Sequence, residues 1–364
     1  MPASVIDLFC GVGGLTKGLE LAGLNVVAGL DFNETCKYAY EANNNSVFLH
    51  RDITTVNGDE LEELFPNGHI RVLVGCAPCQ PFSKLTKRYR KEEKDKGREG
   101  DCWQNDNKWK LLYSFASLIK DTLPDVISME NVPELRNETV FLDFVKTLIG
   151  LEYQVNYQVV YCPNYGVPQN RRRLVLLASR LGKIDLIHPT HTEENYRTVQ
   201  DAIGHLLPIE GGQSNVQDPL HNAAKLSKTN IKRIQQSVQG GTWRDWDDKL
   251  KLKCHKKKSG RTYSSIYGRM CWNKPSPTIT TQFYGYGNGR FGHPEQNRAL
   301  SMREGALLQS FPHDYAFYDN NSELSRKEVG IHIGNAVPVD LGRAIGVSIV
   351  DHLREVKNND KQGI

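Results

Sequence analysis

The strongest candidates for chemistry in this 364-residue chain are polar residues that directly follow short apolar runs. Cys76 and Cys79 come after the run Ile70 to Gly75, and Glu130 comes after Asp125 to Met129. A thiolate is a good nucleophile, and a carboxyl group whose pKa is raised by burial can donate a proton. These residue types predict nucleophilic catalysis assisted by an acid.

The Cys-x-x-Cys spacing is also typical of thiol redox and zinc sites. A four-thiolate zinc site needs a second close pair, which the other six cysteines do not supply, so we expect no metal. Two alternatives stay open for Cys76 and Cys79: small buried side chains without chemistry, or the pair of a thiol oxidoreductase.

Three arginines stand together at the start of another apolar run, in the sequence Gln169-Asn-Arg171-Arg-Arg173. A strand has a period of two, which places Gln169, Arg171 and Arg173 on one face. An inward-facing arginine pair can clamp an anion or a pyrimidine carbonyl. Ordinary protection of a strand edge is the alternative.

A glycine-rich turn follows the first predicted strand, in the sequence Asp7-Leu-Phe-Cys-Gly-Val-Gly-Gly14. Glycines let a ligand approach the backbone, although the dinucleotide pattern G-x-G-x-x-G is not met because Thr16 occupies its last position. Asp31 and Asp52 end or follow the next two strands, where carboxylates can accept ribose hydroxyls and an exocyclic amine. Each feature alone is compatible with tight packing or a helix cap, but together they indicate an adenosine-bearing cofactor.

The segments between these residues alternate between apolar runs and amphipathic stretches, as in a mostly parallel sheet covered by helices. The predicted strands are 4–9, 25–31, 46–49, 70–75, 125–129, 153–161 and 173–178, and the predicted helices are 14–22, 33–42 and 109–122. The expected fold class is α/β, with a doubly wound, mostly parallel sheet. Ligands of such sheets bind beyond the carboxyl ends of the strands, so we expect the candidate residues at one edge.

After about Gly182 the alternation stops and glycine-rich loops follow, which predicts a smaller second domain. Helical pattern returns over Arg298 to Phe311 and over Ile333 to Leu353. No apolar run approaches the length of a membrane span, and the N-terminus does not read as a secretory signal, so we expect a cytoplasmic protein without a membrane partner.

The net charge of +4 alone does not diagnose a nucleic-acid partner. Its distribution is more informative, because Lys249 to Arg261 holds seven basic residues and no acid, and Lys84 to Asp101 holds eight basic and five acidic residues. Such runs are often solvated surface, but their position beside the other signals favours a polyanionic partner.

Taken in chain order, these segments resemble the DNA (cytosine-5) methyltransferase family. The matching segments are Asp7 to Gly14, Pro78 to Ser83, Glu130 to Val132, Gln169 to Arg173, Arg298 to Pro312 and Gly334 to Pro338. Only the region from about Asp185 to Asn297 lacks the family pattern. The resemblance implies a Rossmann-like, S-adenosylmethionine-dependent catalytic domain over residues 1–184, completed by 300–364, and a target-recognition domain over 185–299.

By the same resemblance, Cys79 adds to C6 of a cytosine, Glu130 contacts N3 and the exocyclic amine, and Arg171 and Arg173 hold the O2 side and the acid. C5 then takes the methyl group of S-adenosyl-L-methionine, which leaves S-adenosyl-L-homocysteine. The residues that the resemblance assigns to the cofactor are Phe9, Gly11, Val12, Gly13, Gly14, Asp31, Phe32, Asp52, Ile53, Pro78, Leu111, Asn335 and Val337. The family more often has glutamate at the ribose position, so the shorter Asp31 is a departure.

The implied substrate is a flipped cytosine in a specific double-stranded DNA sequence. The resemblance covers enzymes of modification type, which have a cognate restriction endonuclease as partner, and orphan enzymes, which have none. The basic segment Lys84 to Arg98 resembles the loop that closes over the flipped base, and Lys249 to Arg261 is expected to contact phosphates. A tRNA cytosine-5 methyltransferase with the same motifs is the nearest alternative, and a fold-retaining binding protein without activity is another. If Cys79 is the nucleophile, Cys76→Ala leaves methyl transfer largely intact.

Overall fold

The computed structural model describes residues 2–78, 107–257, 260, 265–319 and 321–362. Cys79, the basic segment Lys84 to Arg98 and part of the run Lys249 to Arg261 therefore lie outside the described residues. The chain divides into two compact units. The first unit comprises Met1–Tyr161, Arg172–His188 and Val339–Ile364, and the second comprises Cys162–Arg171 and Pro189–Pro338.

A seven-stranded sheet forms the centre of the first unit, with strand order β3-β2-β1-β4-β5-β7-β6. Its strands are β1 Ala3–Leu8, β2 Asn25–Asp31, β3 Val47–His50, β4 Ile70–Gly75, β5 Val126–Asn131, β6 Gln154–Tyr161 and β7 Arg172–Ser179. Five strands are parallel, and β7 runs antiparallel to both β5 and β6. The predicted α/β class and all seven strands are confirmed, each strand end to within two residues.

Helices cover this sheet because its central strands are apolar on both faces. The helices of the first unit are α1 Gly14–Leu21, α2 Lys37–Asn43, α3 Gly58–Glu63, α4 Leu111–Thr122, α5 Thr139–Gly150 and α11 Val339–Gln362. Helices α4 and α5 pack Phe115 and Phe144 into the main core at a ring distance of 5.5 Å. Sequence analysis missed α3 and α5, although the buried residues of α5 follow a helical period.

Glycine makes the packing of α1 against α11 possible. A Cβ atom on Gly18 would lie 2.5 Å from the carbonyl oxygen of Val339 and from the backbone nitrogen of Arg343. Real Cβ atoms do not approach backbone atoms that closely, so the two helix backbones meet only because this position has no side chain. The C-terminal helix is thereby held against the helix that follows the glycine turn.

One helical stretch, Arg326–Asn359, is long and apolar enough to span a membrane by length and composition, which the sequence analysis did not detect. Of its most apolar window, 67% is buried inside the protein. That burial is typical of a core helix, so the stretch is weak evidence for a membrane span.

Loops dominate the second unit, as the glycine-rich sequence predicts. Its helices are α6 Val199–Ile203, α7 Lys228–Gln236, α8 Lys253–Lys256, α9 Met302–Leu308 and α10 Arg326–Asn335. The strand pairing found among its described residues consists of isolated bridges such as Arg269 with Gly292. A small aromatic core, which includes Trp243, Trp246 and Tyr286, supports these loops.

The bounds of the two units differ from the predicted domains in two short segments, 162–171 and 185–188, and in one long segment. Residues 300–338 belong to the second unit, whereas the sequence analysis assigned 300–364 to the catalytic domain. The buried pair of Arg298 and Glu304 gives a physical reason, because it joins the start of α9 to the loop that precedes it. Only α11 returns to the first unit.

Candidate active site

The turn after β1 adopts a backbone conformation that glycine favours. Gly11 and Gly13 have φ angles of 52° and 84°, and Phe9 has a φ angle of 60°, which is uncommon for a residue with a side chain. The backbone N–H of Gly11 donates a hydrogen bond to Asp31 Oδ2 at 2.9 Å. This bond fixes the turn to the end of β2, and Gly14 then begins α1.

A cleft opens beside this turn, within the first unit. Phe9, Asp31, Phe32, Asp52, Ile53, Pro78 and Leu111, all predicted cofactor residues, line it together with Leu30 and Arg51, which were not predicted. The cleft has a volume of about 190 Å³. Phe32 stands at its rim with 64% of its surface exposed, so one flat ring is available for stacking.

The two acids of the cleft differ in their surroundings. Both oxygens of Asp31 accept backbone hydrogen bonds, from Gly11 and Asn33, yet burial outweighs these bonds and raises the pKa of its carboxyl group. Asp52 is exposed, and its Oδ1 accepts from the amide and the hydroxyl of Thr54. In this cleft Asp31 therefore also fixes the backbone of the glycine turn, whereas Asp52 faces solvent.

The cleft fits an adenosine-bearing cofactor. Its walls are mainly apolar, and an acid stands on each of two neighbouring strand ends. A Cβ atom built on Gly11 would meet nothing within 4 Å, so open space lies directly beside the turn. An aromatic rim, apolar walls and two hydrogen-bond acceptors suit a purine with its ribose.

Glu130 and Arg173 form an ion pair at the ends of neighbouring strands. Arg173 Nε lies 2.8 Å from Glu130 Oε1, and both side chains are largely buried. Antiparallel pairing produces this contact, because it places the start of β7 beside the end of β5. The structure thus brings together two of the four predicted catalytic residues.

The chain leading toward Cys79 is fixed beside this ion pair. Asn131, which follows Glu130, donates from Nδ2 to the carbonyl oxygen of Ala77 at 3.0 Å. Both groups are buried. Cys79 itself lies outside the described residues, so its predicted role as the nucleophile stays a prediction.

Cys76 lies next to Glu130, one residue after the paired end of β4. Burial, reinforced by the negative charges of Glu130 and Asp7, raises the pKa of the Cys76 thiol well above its usual range. A thiol with a raised pKa is mostly protonated at neutral pH and is a poor nucleophile. This environment disfavours the thiol oxidoreductase alternative, which needs two reactive cysteines.

Arg171 belongs to the second unit and contacts backbone there. Its Nη1 and Nη2 atoms donate to the carbonyl oxygens of Ile279 and Ala336, and the side chain is buried. These contacts are structural, so the predicted catalytic role of Arg171 stays a prediction. Asn335 ends α10 and Val337 is buried after it, both in the second unit, and their predicted cofactor contacts also stay predictions.

Asp7 begins the glycine motif and carries the most perturbed carboxyl group near the turn. It is buried, accepts a hydrogen bond of 2.7 Å from the Thr16 hydroxyl, and has a second oxygen without a hydrogen-bond partner. Burial raises its pKa to about 7. In the described part of the chain, no cluster of three or more His, Cys, Asp or Glu side chains has the arrangement of a metal site.

Comparison with known proteins gives a consistent picture. The family model of C-5 cytosine-specific DNA methylases matches residues 3–351. The chain is 53% identical to the Type II methylase M.HgiDII of Herpetosiphon aurantiacus, over 96% of this chain and 95% of that protein. It is 31% identical to the Type II methyltransferase M.PspPI of Psychrobacter sp., over 95% of this chain and 79% of that protein.

Solved structures share the fold. A prophage-encoded protein of Escherichia coli, described as a DNA modification methyltransferase, superposes with a TM-score of 0.71 at 20% identity, over 97% of this chain and 99% of that one. The methyltransferase EhMeth of Entamoeba histolytica superposes with a TM-score of 0.65 at 16% identity, over 97% and 99%. With the family model matching almost the entire sequence, the chain belongs to the C-5 cytosine-specific DNA methylase family.

Proposed function

We propose that this enzyme transfers the methyl group of S-adenosyl-L-methionine to C5 of a flipped cytosine within a specific duplex DNA sequence, as a Type II modification methyltransferase. One observation carries the proposal. The Glu130–Arg173 ion pair lies at the strand ends of the sheet, and the Asn131–Ala77 hydrogen bond fixes the chain there, two residues before Cys79 in the sequence. A carboxyl group, a cation and a thiol nucleophile are the groups that activation of a cytosine ring requires.

The first step in this mechanism activates the ring. C5 of cytosine is a weak nucleophile, so the Cys79 thiolate adds to C6 and the electron pair of the C5–C6 double bond moves to C5. An ordinary thiol has a pKa near 8.5 and is only a few per cent thiolate at neutral pH, so the active site must favour the thiolate.

Glu130 and Arg173 stabilise the charge that develops on the ring. Glu130 binds N3 and the exocyclic amine, and Arg173 orients the Glu130 carboxyl group through their 2.8 Å contact. Preorganised groups of this kind cost little reorganisation when charge appears in the transition state. Because both side chains are largely buried, the interaction acts in a medium of low dielectric constant.

When bound, the cofactor would supply a methyl group on a positively charged sulfur, an electrophile suited to an electron-rich C5. Asp31 and Asp52, which line the cleft, would accept hydrogen bonds from its ribose and adenine, with Phe9 and Leu111 as apolar walls. A base then removes the C5 proton, the C6–sulfur bond breaks, and the thiolate of Cys79 is regenerated. No residue of the chain is assigned as that base.

Duplex DNA is the favoured substrate, and tRNA is the alternative. The second unit supplies loops and exposed lysines on α8, such as Lys253 and Lys256, that suit phosphate contacts. The relatives with 53% and 31% identity are named Type II enzymes, which favours DNA and a cognate restriction endonuclease as partner. Extruding a base from a duplex costs a few kcal/mol, which these contacts must offset.

Methyl transfer from labelled S-adenosyl-L-methionine to mixed-sequence duplex DNA and to tRNA tests this function, with bisulfite sequencing of the product. Cys79→Ala should abolish label in DNA. Cys76→Ala is the matched control and should keep transfer within about threefold of the wild type, since its protonated thiol takes no part. Label in tRNA alone would replace the proposal with its alternative, and equal loss from both variants would support a dithiol mechanism.

A further inference from the structure

Three backbone segments of the second unit meet in a layer that we call the glycine platform, formed by Gly240, Gly241, Gly268, Gly289 and Gly292. Gly268 donates to the carbonyl oxygen of Gly289 at 3.4 Å, and Gly292 donates to that of Gly268 at 2.9 Å. A Cβ atom on Gly268 would lie 2.9 Å from the carbonyl oxygen of Gly241. Glycine is therefore required for these segments to approach each other so closely.

Arg290 lies on the glycine platform and is held at both ends of its side chain. Its aliphatic stem packs over Gly268, where an added Cβ atom would come within 2.9 Å of Arg290 Cγ. Its Nη1 donates to the carbonyl oxygen of Gly240 at 2.7 Å. Because a guanidinium group is planar, these two contacts fix the direction of its remaining N–H groups.

The charge of Arg290 is not neutralised by the described residues, none of whose carboxylates lies within 4 Å of it. Two nearby arginines differ. Arg269 donates to four backbone carbonyls and to Asn297, and Arg298 forms a bidentate pair with Glu304. Arg290 makes one hydrogen bond with the described part of the chain, although it is only partly exposed. A partly buried cation with N–H groups left over suits an acceptor from outside the chain.

We propose that Arg290 reads a guanine of the DNA target sequence, donating to O6 and N7 in the major groove. The inference rests on the proposed function and names a residue that sets its specificity. Guanine presents two acceptors side by side, which match a planar fork of fixed direction. Phosphate contacts do not require such fixation, and the exposed lysines of α8 already suit them.

The test compares wild type with Arg290→Lys and Arg290→Gln on a randomised duplex library, read by bisulfite sequencing. We expect the preference for guanine at one target position to fall by roughly 5- to 150-fold, the range for losing a bidentate base contact, with preferences at other positions retained. Lys253→Gln is the matched control and should weaken binding evenly across sequences with a smaller salt dependence. Binding of S-adenosyl-L-homocysteine and the melting temperature should stay at wild-type values in the Arg290 variants, which shows that they fold.

Even weakening across all sequences by the Arg290 variants, with a reduced salt dependence, would assign Arg290 to a phosphate and overturn the inference. An unchanged preference at every position would overturn it as well. The proposed function fails separately, because in that case the wild type itself leaves duplex DNA without label.

Discussion

The two units stabilise their functional residues by different means. In the first, Glu130 and Arg173 lie on neighbouring strands, and the backbone hydrogen bonds of the sheet determine where each side chain begins. In the second, isolated bridges replace a sheet among the described residues, and buried arginine side chains satisfy the loop carbonyls. Arg269 alone joins residues 234, 237, 293, 296 and 297.

This difference matches the tasks that we assign to the units. Chemistry at a cytosine ring needs fixed distances, which a hydrogen-bonded sheet maintains irrespective of most side chains. Sequence recognition needs loops whose side chains project from a defined backbone. A few central arginines can fix such loops without the regular pairing of strands. The stability of the second unit then depends strongly on each of these arginines.

Among the described residues, the largest effect is expected from Glu130→Gln, which keeps the shape of the side chain but removes its carboxyl group. The rate of methyl transfer should fall by about 10²- to 10⁴-fold, the usual contribution of a side chain that assists proton transfer at a reacting group. Single-turnover kinetics measure the rate of methyl transfer. Cofactor titration measures the affinity for the cofactor, which should be unchanged. Arg172→Gln, on the neighbouring exposed position, is the control. Retained activity in Glu130→Gln would contradict the assignment of the chemistry to the first unit.

Arg269→Met should have the next largest effect, which is a loss of stability in the second unit and not a loss of catalytic rate. The substitution leaves four backbone carbonyls without their donor, and the cost should be about 4 kcal/mol or more. Hydrogen exchange should increase across residues 234–297 while the first unit keeps its protection and its cofactor affinity. Arg354→Met, an exposed position on α11, should change stability by less than about 0.5 kcal/mol. Equal loss of protection in both units would contradict the conclusion that buried arginines stabilise the second unit and sheet hydrogen bonds the first.

Acid should destabilise the second unit through His293. Its Nδ1 accepts backbone hydrogen bonds from Glu295 and Gln296, so protonation of that atom would break both. Burial lowers the pKa of His293 to about 4. Between the ordinary value near 6.5 and about 4, the unfolded chain binds a proton that the folded chain does not, so stability falls as pH falls, by at most about 1.4 kcal/mol per pH unit.

Urea unfolding at several pH values, with His293→Asn beside the wild type, isolates this contribution. Asparagine retains an acceptor but does not titrate, so the variant should show a smaller pH dependence in that window. Glu304 acts at lower pH. Burial alone would raise the pKa of Glu304, but Arg298 lowers it to about 2, so its contribution is lost only as pH falls from about 4.5 toward 2. An unchanged slope between pH 6.5 and 4.5 in His293→Asn would refute the assignment.

Sequence reasoning succeeded where local pattern determines structure. The strands of the first unit are short buried runs bounded by turns, and the acids after β2 and β3 line the cleft as expected from parallel strand ends. Leu30 and Arg51 were missed because they flank the predicted acids without a distinctive spacing. The ion pair of Glu130 and Arg173 followed from motif resemblance, but its cause, the antiparallel β7, was not predicted.

Apart from the helical pattern over Arg298 to Phe311, which contains α9, the second unit could be predicted only as loop-rich. The role of Arg269 depends on backbone carbonyls from four separate positions, and nothing in the sequence marks a carbonyl as unsatisfied. The same limit applies to the Gly240 carbonyl that orients Arg290. Contacts between a side chain and distant backbone leave no periodic signal, whereas strands and amphipathic helices do.

A smaller effect, confined to the first unit, is expected from Gly18→Ala. The added Cβ atom would meet the backbone of α11 at 2.5 Å, so one helix must shift, at a cost of about 1–3 kcal/mol. Gly150→Ala is a matched control, because a Cβ atom on Gly150 meets nothing within 4 Å, and it should leave stability equal or slightly higher. Urea unfolding of both variants measures the difference.

Gly18→Ala should also weaken cofactor binding, since α1 begins at the glycine turn whose Gly11 amide holds Asp31. A shift of α1 moves that turn, so the dissociation constant for S-adenosyl-L-homocysteine should rise, whereas Arg269→Met should leave it unchanged. If Gly18→Ala were as stable as the wild type, the two helices would be free to separate. The close backbone contact at Gly18 would then not be what holds α11 in the first unit.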